Sequence, residues 1–279
     1  MRVALHGVPS QVFYQTMGWR IKMTHSPRLP ASTFDQDSMP RFYCSVPLAI
    51  GLTLDLPEAV AHHVHVLRLQ IGAELCLFNG DGGEYIAHLA SVEKRHASVT
   101  VKAFVARDVE LPYEITLAQA LPEASKMDWI IEKAVEMGVA AIQPLAAQRC
   151  VVRLSGERAE KKLTHWQGVI VAASEQSGRN RLARLAPVDD LHQWTAQQGM
   201  HKRVLLSPRG TQSLADWARH QPPQALALMI GPEGGFTVQE EDAAIARGAL
   251  ALSMGPRILR TETAGITAVA ALNALWGGM

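Results

Sequence analysis

Five polar residues, Arg257, Arg260, Thr261, Glu262 and Thr263, crowd around the apolar pair Ile258-Leu259 just before an Ala-rich stretch, 264 to 276, at the end of the chain. Upstream lies a second polar turn, Gly231-Pro232-Glu233-Gly234-Gly235. A turn this rich in glycine lets backbone N–H groups approach a ligand closely. The chemistry it points to is not the cradling of nucleotide phosphates, because no Lys-Ser/Thr follows at phosphate-loop spacing and no G-x-G-x-x-G is present. Ordinary turns are the plain alternative for the glycines. The Arg/Thr/Glu/Thr cluster at the second junction weighs toward a site.

These residues need elements to hold them. The apolar run 225 to 230 reads as a buried strand leading into the glycine turn, and Thr237 with Glu240 three residues on forms a capping box that starts the next helix. A second apolar run leads into the polar loop 255 to 263, and the stretch from Ala264 reads as the last helix. Ligands of open α/β sheets bind beyond the carboxyl ends of strands. The two loops are therefore expected to be two walls of one pocket.

Upstream, 115 to 121 reads as a strand, and Met127, Ile130, Ile131, Ala134 and Val135 recur with helical spacing before Gly138. Strands are expected at 140 to 145 and 201 to 207. This alternation predicts a parallel α/β sheet. Between 149 and 162 lies a basic patch, Arg149, Arg153, Arg158, Lys161 and Lys162. The helix that follows, with Leu163, Trp166, Ile170 and Ala173 on its apolar face, delivers Glu175, Gln176, Arg179, Asn180 and Arg181 together. On spacing alone these charges read as a solvated helix face with a basic last turn. Residues 41 to 106 predict a small β-rich domain: 74 to 78 and 84 to 92 flank the turn Asn79-Gly-Asp-Gly-Gly83, with a third strand from 98 to 105. Glu110-Leu-Pro112 marks the boundary between a domain at 39–109 and one at 113–279.

The bulk properties narrow the class. With 279 residues, 48% hydrophobic and 19% charged, the chain can build one large or two modest domains. A net charge of +1 does not exclude a nucleic-acid partner, provided a local basic patch exists. Cys44, Cys76 and Cys150 are far apart, which fits a reducing cytoplasm and neither a disulfide framework nor a zinc site. No apolar run reaches transmembrane length. His62, His63 and His65 lack a carboxylate or thiol at ligand spacing, so no metal is expected. Residues 1–38 carry no periodicity and read as an N-terminal extension outside the native protein, a basic RNA-binding arm being the alternative.

Met229-Ile-Gly-Pro-Glu-Gly-Gly-Phe236 followed by Met254-Gly-Pro-Arg-Ile-Leu-Arg-Thr-Glu-Thr-Ala264 closely resembles the ribosomal RNA small subunit methyltransferase E family, the 16S rRNA uridine-N3 methyltransferases of the SPOUT superfamily. The resemblance extends through Glu132-Lys-Ala-Val-Glu-Met-Gly138 and Glu175-Gln-Ser-Gly-Arg-Asn-Arg181 to Met39-Pro-Arg-Phe, covering all but the first 38 residues. It implies an α/β SPOUT-type, trefoil-knotted methyltransferase domain preceded by a small β-rich PUA-like RNA-binding domain, working as a homodimer. The knot comes with the resemblance; nothing in periodicity shows it, and knots are rare. For the dimer, Ala268, Leu272 and Leu275 offer an apolar stripe on the last helix, which could equally pack on the protein's own sheet.

The implied cofactor is S-adenosyl-L-methionine (SAM), held by Leu206 and Ser207, by Gly231, Pro232, Glu233 and Gly234, and by Met254, Gly255, Ile258, Leu259, Thr261 and Thr263. The implied partner is 16S rRNA or the small ribosomal subunit, contacted by Arg41, Arg68, Arg149, Arg153, Arg179 and Arg181. Methyl transfer to uridine N3 needs the base out of its stack, a proton removed and the developing anion stabilised. Arg260 or Arg179 is expected as the cation, with Glu262 or Glu175 as base or orienting partner. Two other readings are a ribose 2'-O-methyltransferase on tRNA or rRNA and a noncatalytic RNA-binding assembly factor.

Overall fold

The computed structural model describes residues 39–197 and 201–279. The expectation for residues 1–38 lies outside the described residues.

The N-terminal sheet contains Arg41–Tyr43 (β1), Thr53–Asp55 (β2), Glu74–Phe78 (β3), Glu84–Val92 (β4) and Ala97–Val105 (β5), in the order β1-β3-β4-β5-β2, with one helix, Glu58–Val66 (α1). The hairpin β3–β4 forms at the expected turn, where Gly80, Gly82 and Gly83 all take positive φ that side chains resist. Phe42, Leu75, Leu77, Ala87, Leu89 and Val99 build a separate core under this sheet. The histidines of α1 serve packing in part: His63 meets the Phe42 ring edge-on at 5.3 Å. The three-residue strands β1 and β2 are too short to show alternation in sequence.

The second sheet is entirely parallel. Its strands are Ile115–Ala120 (β6), Ala141–Ala146 (β7), Arg184–Leu185 (β8), Asp189–Asp190 (β9), Lys202–Leu206 (β10), Gln212–Ser213 (β11), Leu226–Ile230 (β12) and Leu250–Ser253 (β13). They lie in the order β11-β13-β10-β12-β6-β7-β8, with β9 also pairing β7. The helices are Lys126–Glu136 (α2), Gly156–Ser177 (α3), Leu191–Ala196 (α4), Leu214–Arg219 (α5), Val238–Ala246 (α6) and Thr261–Trp276 (α7). All five residues of β12 are buried, as a central parallel strand covered on both faces requires.

Helix α7 begins at Thr261, three residues before the apolar stretch that signals it, so Thr261, Glu262 and Thr263 form its first turn and not a loop. Arg260 is the extended N-cap, and its carbonyl accepts from the amides of Thr263 and Ala264. Gly265 weakens a helix, and the structure shows why it is there: a Cβ on it would stand 3.2 Å from Leu117 Cδ1 and 3.5 Å from Ile230 Cγ1. The helix packs on β6 and β12 at that point. Ala268 and Leu272 are buried in the same chain, and Trp276 packs on Tyr113 and Trp217 while its indole donates to Ala218 O. Most of the stripe considered for a dimer thus covers the protein's own core; Leu275 is half-exposed.

Candidate active site

Strands β13, β10 and β12 are hydrogen-bonded neighbours running in one direction. Their C-terminal loops therefore leave the same sheet edge side by side, on the order of 5 Å apart from strand to strand. These loops are 207–210, 231–236 and 254–260, so Leu206 and Ser207, the glycine turn and Met254 to Leu259 follow the ends of neighbouring strands along one sheet edge. Gln119, at the end of the next strand β6, completes the row.

Hydrogen bonds fix this edge. Thr261 Oγ1 accepts from the Gln119 amide at 2.9 Å and donates to the Gly231 carbonyl at 2.6 Å, so helix α7, strand β6 and the glycine turn are locked together. Glu233 accepts from the Glu123 N–H and from Lys126 Nζ at 3.0 and 2.6 Å, clasping the turn to the start of α2. Burial alone pushes the Glu233 carboxyl up, but the Lys126 and Glu123 bonds outweigh it and hold it below its ordinary value. Arg149 donates to the Gly234 carbonyl at 2.6 Å. Glu240 does two tasks: it closes the capping box on Thr237 and accepts from the Gln148 N–H at the end of β7. A Cβ on Gly231 would meet the Phe236 nitrogen at 2.8 Å, so only glycine fits where the turn folds back on itself.

The lining is mixed. Leu206, Met254 and Leu259 are half-buried, Pro232 is buried, and Gly255 takes φ 89°. Glu233, Gly234, Thr263 and Arg260 are exposed, and Ile258 is 80% exposed. The Ser207 hydroxyl is committed to the Glu241 carboxylate, which also binds Arg209, and its N–H to the Leu252 carbonyl, so Ser207 can offer a ligand only the second lone pair of its carbonyl. Two buried acceptors, Gln119 Oε1 and Glu262 Oε2, have no donor among the described residues. Leaving such atoms unpaired costs about 1–3 kcal/mol each. A ligand with N–H donors, positive charge and a flat apolar part suits this donor set.

Residues 175–181 lie elsewhere. Arg179 is 3% exposed; its guanidinium makes a two-pronged pair with Glu110 and donates to the Val135 and Val139 carbonyls at 3.0 and 2.9 Å. Those carbonyls are at the far end of α2, whereas Lys126 at its start touches the glycine turn; the rise between Lys126 and Val135 is roughly 14 Å. Arg179 and Glu175, the alternatives to Arg260 and Glu262, therefore lie apart from the glycine turn within one chain. The reason is topological: α3 returns from the C-terminal edge of the sheet, so its last turn and β8 stand at the opposite edge.

There the cluster joins the two domains. Arg41 binds Glu84 and Asn180, each at 2.6 Å, Arg107 donates to Gly178 O, and Glu175 accepts from the Tyr43 N–H at 2.9 Å. Burial pushes the Glu175 carboxyl up, with the Tyr43 bond opposing. Of the arginines expected on RNA, Arg41 and Arg179 are thus tied into the joint, while Arg149 and Arg153 reach backbone carbonyls, Arg153 those of Ala147 and Gln148. Arg68, at φ 55°, and Arg181 are exposed. Sequence reasoning missed Gln119 and Lys126. The visible signal for Gln119 was a lone amide inside the otherwise unbroken strand pattern Ile115 to Leu121.

The RNA methyltransferase domain family matches residues 109–273, and the RNA methyltransferase PUA domain family matches residues 56–102. The ribosomal RNA small subunit methyltransferase E of Bacillus subtilis is 34% identical over 77% of this chain and 87% of its own length. That of Synechocystis is 35% identical over 81% of this chain and 74% of its own. Among solved structures, the ribosomal RNA small subunit methyltransferase E of Neisseria gonorrhoeae bound to S-adenosyl methionine aligns with a TM-score of 0.81 at 40% identity, covering 85% of this chain and 98% of that one. A putative methyltransferase of Legionella pneumophila, in complex with SAM, aligns with a TM-score of 0.80 at 38% identity over 85% of this chain and 97% of its own. A PUA domain followed by an RNA methyltransferase domain, with this identity along both, places the chain in the ribosomal RNA small subunit methyltransferase E family.

Proposed function

We propose that this protein transfers the methyl group of SAM to N3 of a uridine in the 16S rRNA of the small ribosomal subunit. The observation that carries the proposal is the locked edge formed by Gly231, Thr261 and Gln119, with Glu262 Oε2 and Gln119 Oε1 as buried acceptors lacking donors among the described residues, in a family whose Neisseria member was crystallised with SAM. The adenine of SAM suits the apolar wall of Leu206, Met254 and Leu259 beside the backbone of Ser207, Gly231 to Gly234, Gly255 and Ile258. When bound, SAM supplies a methyl group activated on a sulfonium.

The chain's own residues then position and neutralise. Arg260, exposed at the N-cap of α7, stabilises the anion that develops as the uracil loses its N3 proton, and Glu262 in the same turn receives or orients that proton. Arg179 and Glu175 hold the domain joint in this reading. The trefoil knot belongs to the same proposal, supported by the return of α7 from the β13 side across β12 and β6. So do the domain limits 39–109 and 113–279, supported by two separate hydrophobic cores. The homodimer and the cytoplasmic location rest on family membership.

Arg260→Ala and Glu262→Gln test the roles. Arg260→Ala should keep SAM affinity within about threefold and lower the methylation rate by on the order of a hundredfold. Unchanged turnover in both variants would remove these residues from the chemistry. A ribose 2'-O target is the competing outcome, and nucleoside analysis separates it.

A further inference from the structure

Four basic residues of helix α3, Arg158, Lys161, Lys162 and His165, recur at i, i+3, i+4 and i+7 and so share one face. That face lines a cleft of about 450 Å³ together with Leu154 and Asp128. Asp128, its one carboxylate, is already spent: one oxygen binds His165 Nε2 at 2.9 Å and the other the Trp166 indole at 3.0 Å. The remaining ion pair on the face, Lys161 with Glu157 at 3.5 Å, is fully solvated on both sides and holds Lys161 weakly. Among the described residues, Arg158 and Lys162 therefore face the cleft without an ion-pair partner, and Lys161 has only the exposed Glu157. This contrasts with Arg41 and Arg179, whose guanidinium groups are bonded in the interior, and with Arg149 and Arg153, which are bonded to backbone carbonyls at the surface.

Both the cleft and the glycine turn are anchored on the start of α2, where Lys126 clasps Glu233 and Asp128, two residues on and projecting to the other side of the helix, braces His165 and Trp166. Residues 149–154 connect them, with Arg149 on the Gly234 carbonyl and Leu154 in the cleft wall.

We infer that the Arg158-Lys161-Lys162-His165 cleft is a phosphodiester-binding site that grips the RNA backbone next to the nucleotide presented to the glycine-turn pocket. The inference rests on the RNA-methyltransferase reading above. Its volume suits the phosphate and sugar of one nucleotide, and the apolar wall at Leu154 fits the sugar. Each phosphate neutralised by one of these cations releases condensed counterions, so the site contributes a salt-dependent, sequence-independent part of affinity.

The test compares wild-type protein with the triple variant Arg158→Ala/Lys161→Ala/Lys162→Ala, measuring binding to transcribed small-subunit rRNA over a salt series, SAM binding by calorimetry, and methylation rate. The expected result is a slope of log affinity against log salt lower by about one unit, RNA affinity at least about tenfold weaker, and SAM affinity unchanged. A triple variant with the wild-type slope and RNA affinity would overturn the inference while leaving the methyltransferase reading intact. A variant that binds naked rRNA normally but loses only assembled small subunits would also overturn it, because the cleft would then read ribosomal protein. Wild-type protein that binds no SAM and methylates nothing would instead sink the earlier reading.

Discussion

Thr261 Oγ1 donates a 2.6 Å hydrogen bond to the carbonyl of Gly231 while receiving one from the Gln119 amide, so a single hydroxyl sets the distance between helix α7 and the glycine turn. Thr261→Val leaves that carbonyl and the Gln119 amide each short of a partner, at a cost of about 1–3 kcal/mol in stability. The same variant should weaken SAM binding by about tenfold, and Thr261→Ser should restore both. Calorimetry and thermal melts check this; equal SAM affinity in the Val and Ser variants would show that the hydroxyl does not shape the pocket.

The two glycines of the turn should differ. A Cβ at Gly231 meets backbone at 2.8 Å, whereas at Gly234 it meets only the Arg149 side chain, at 3.3 Å. Gly231→Ala is therefore expected to abolish measurable SAM binding in a folded protein and Gly234→Ala to reduce it by less than about tenfold. The bulkier Gly234→Val pushes Arg149 off its carbonyls and should remove binding as well. Calorimetry on the three variants ranks them.

Glu84 and Glu175 lie in the same domain joint and should respond oppositely to loss of charge. Glu84 is 1% exposed; burial alone would raise its pKa, but the Arg41 bond and the Arg41 and Arg107 charges hold its carboxyl below the ordinary value. Its contribution is present above the unfolded-chain value and lost as pH falls through the lower folded one. Glu84→Gln should cost about 3 kcal/mol at neutral pH, and the gap to wild type should shrink in acid. Glu175 has a raised pKa, so its stabilising effect is complete below the unfolded-chain value and lost as pH rises through the folded one. Glu175→Gln keeps the acceptor for Tyr43 and should be neutral or stabilising at pH 7. It should also methylate normally; loss of methylation in a stable Glu175→Gln protein would return Glu175 to the chemistry.

Much of this fold is readable in the chain because local signals and tertiary need agree. The capping box at Thr237, the glycine hairpin between β3 and β4 and the apolar face of α2 each appear where their residues ask for them. The start of α7 was harder to read: Thr261, Glu262 and Thr263 are polar, and what makes them helical is the Arg260 carbonyl together with the Gln119 bond from a distant strand. Arginine roles were the least legible. Spacing shows that Arg149, Arg153 and Arg179 are basic, but not that carbonyls of 234, 147 and 135 come to meet them, since those contacts depend on loops that close across the sheet.

Arg179→Ala removes the two-pronged partner of Glu110 and two buried hydrogen bonds to carbonyls, so a loss of about 3 kcal/mol is expected, with RNA salt dependence unchanged in the fraction that stays folded. Denaturant melts and RNA titrations check it. A stable variant with a lower salt slope would place Arg179 on RNA after all.

The central claim is that the pocket at the ends of β10, β12 and β13 delivers a methyl group to uridine N3. The most direct measurement incubates the protein and small-subunit rRNA with methyl-labelled SAM, digests the RNA and identifies the labelled nucleoside by mass spectrometry. The account predicts label in 3-methyluridine alone with the wild-type protein, and none with Gly231→Ala. Label in a 2'-O-methylated nucleoside, or 3-methyluridine formed undiminished by the Gly231→Ala variant, would contradict it.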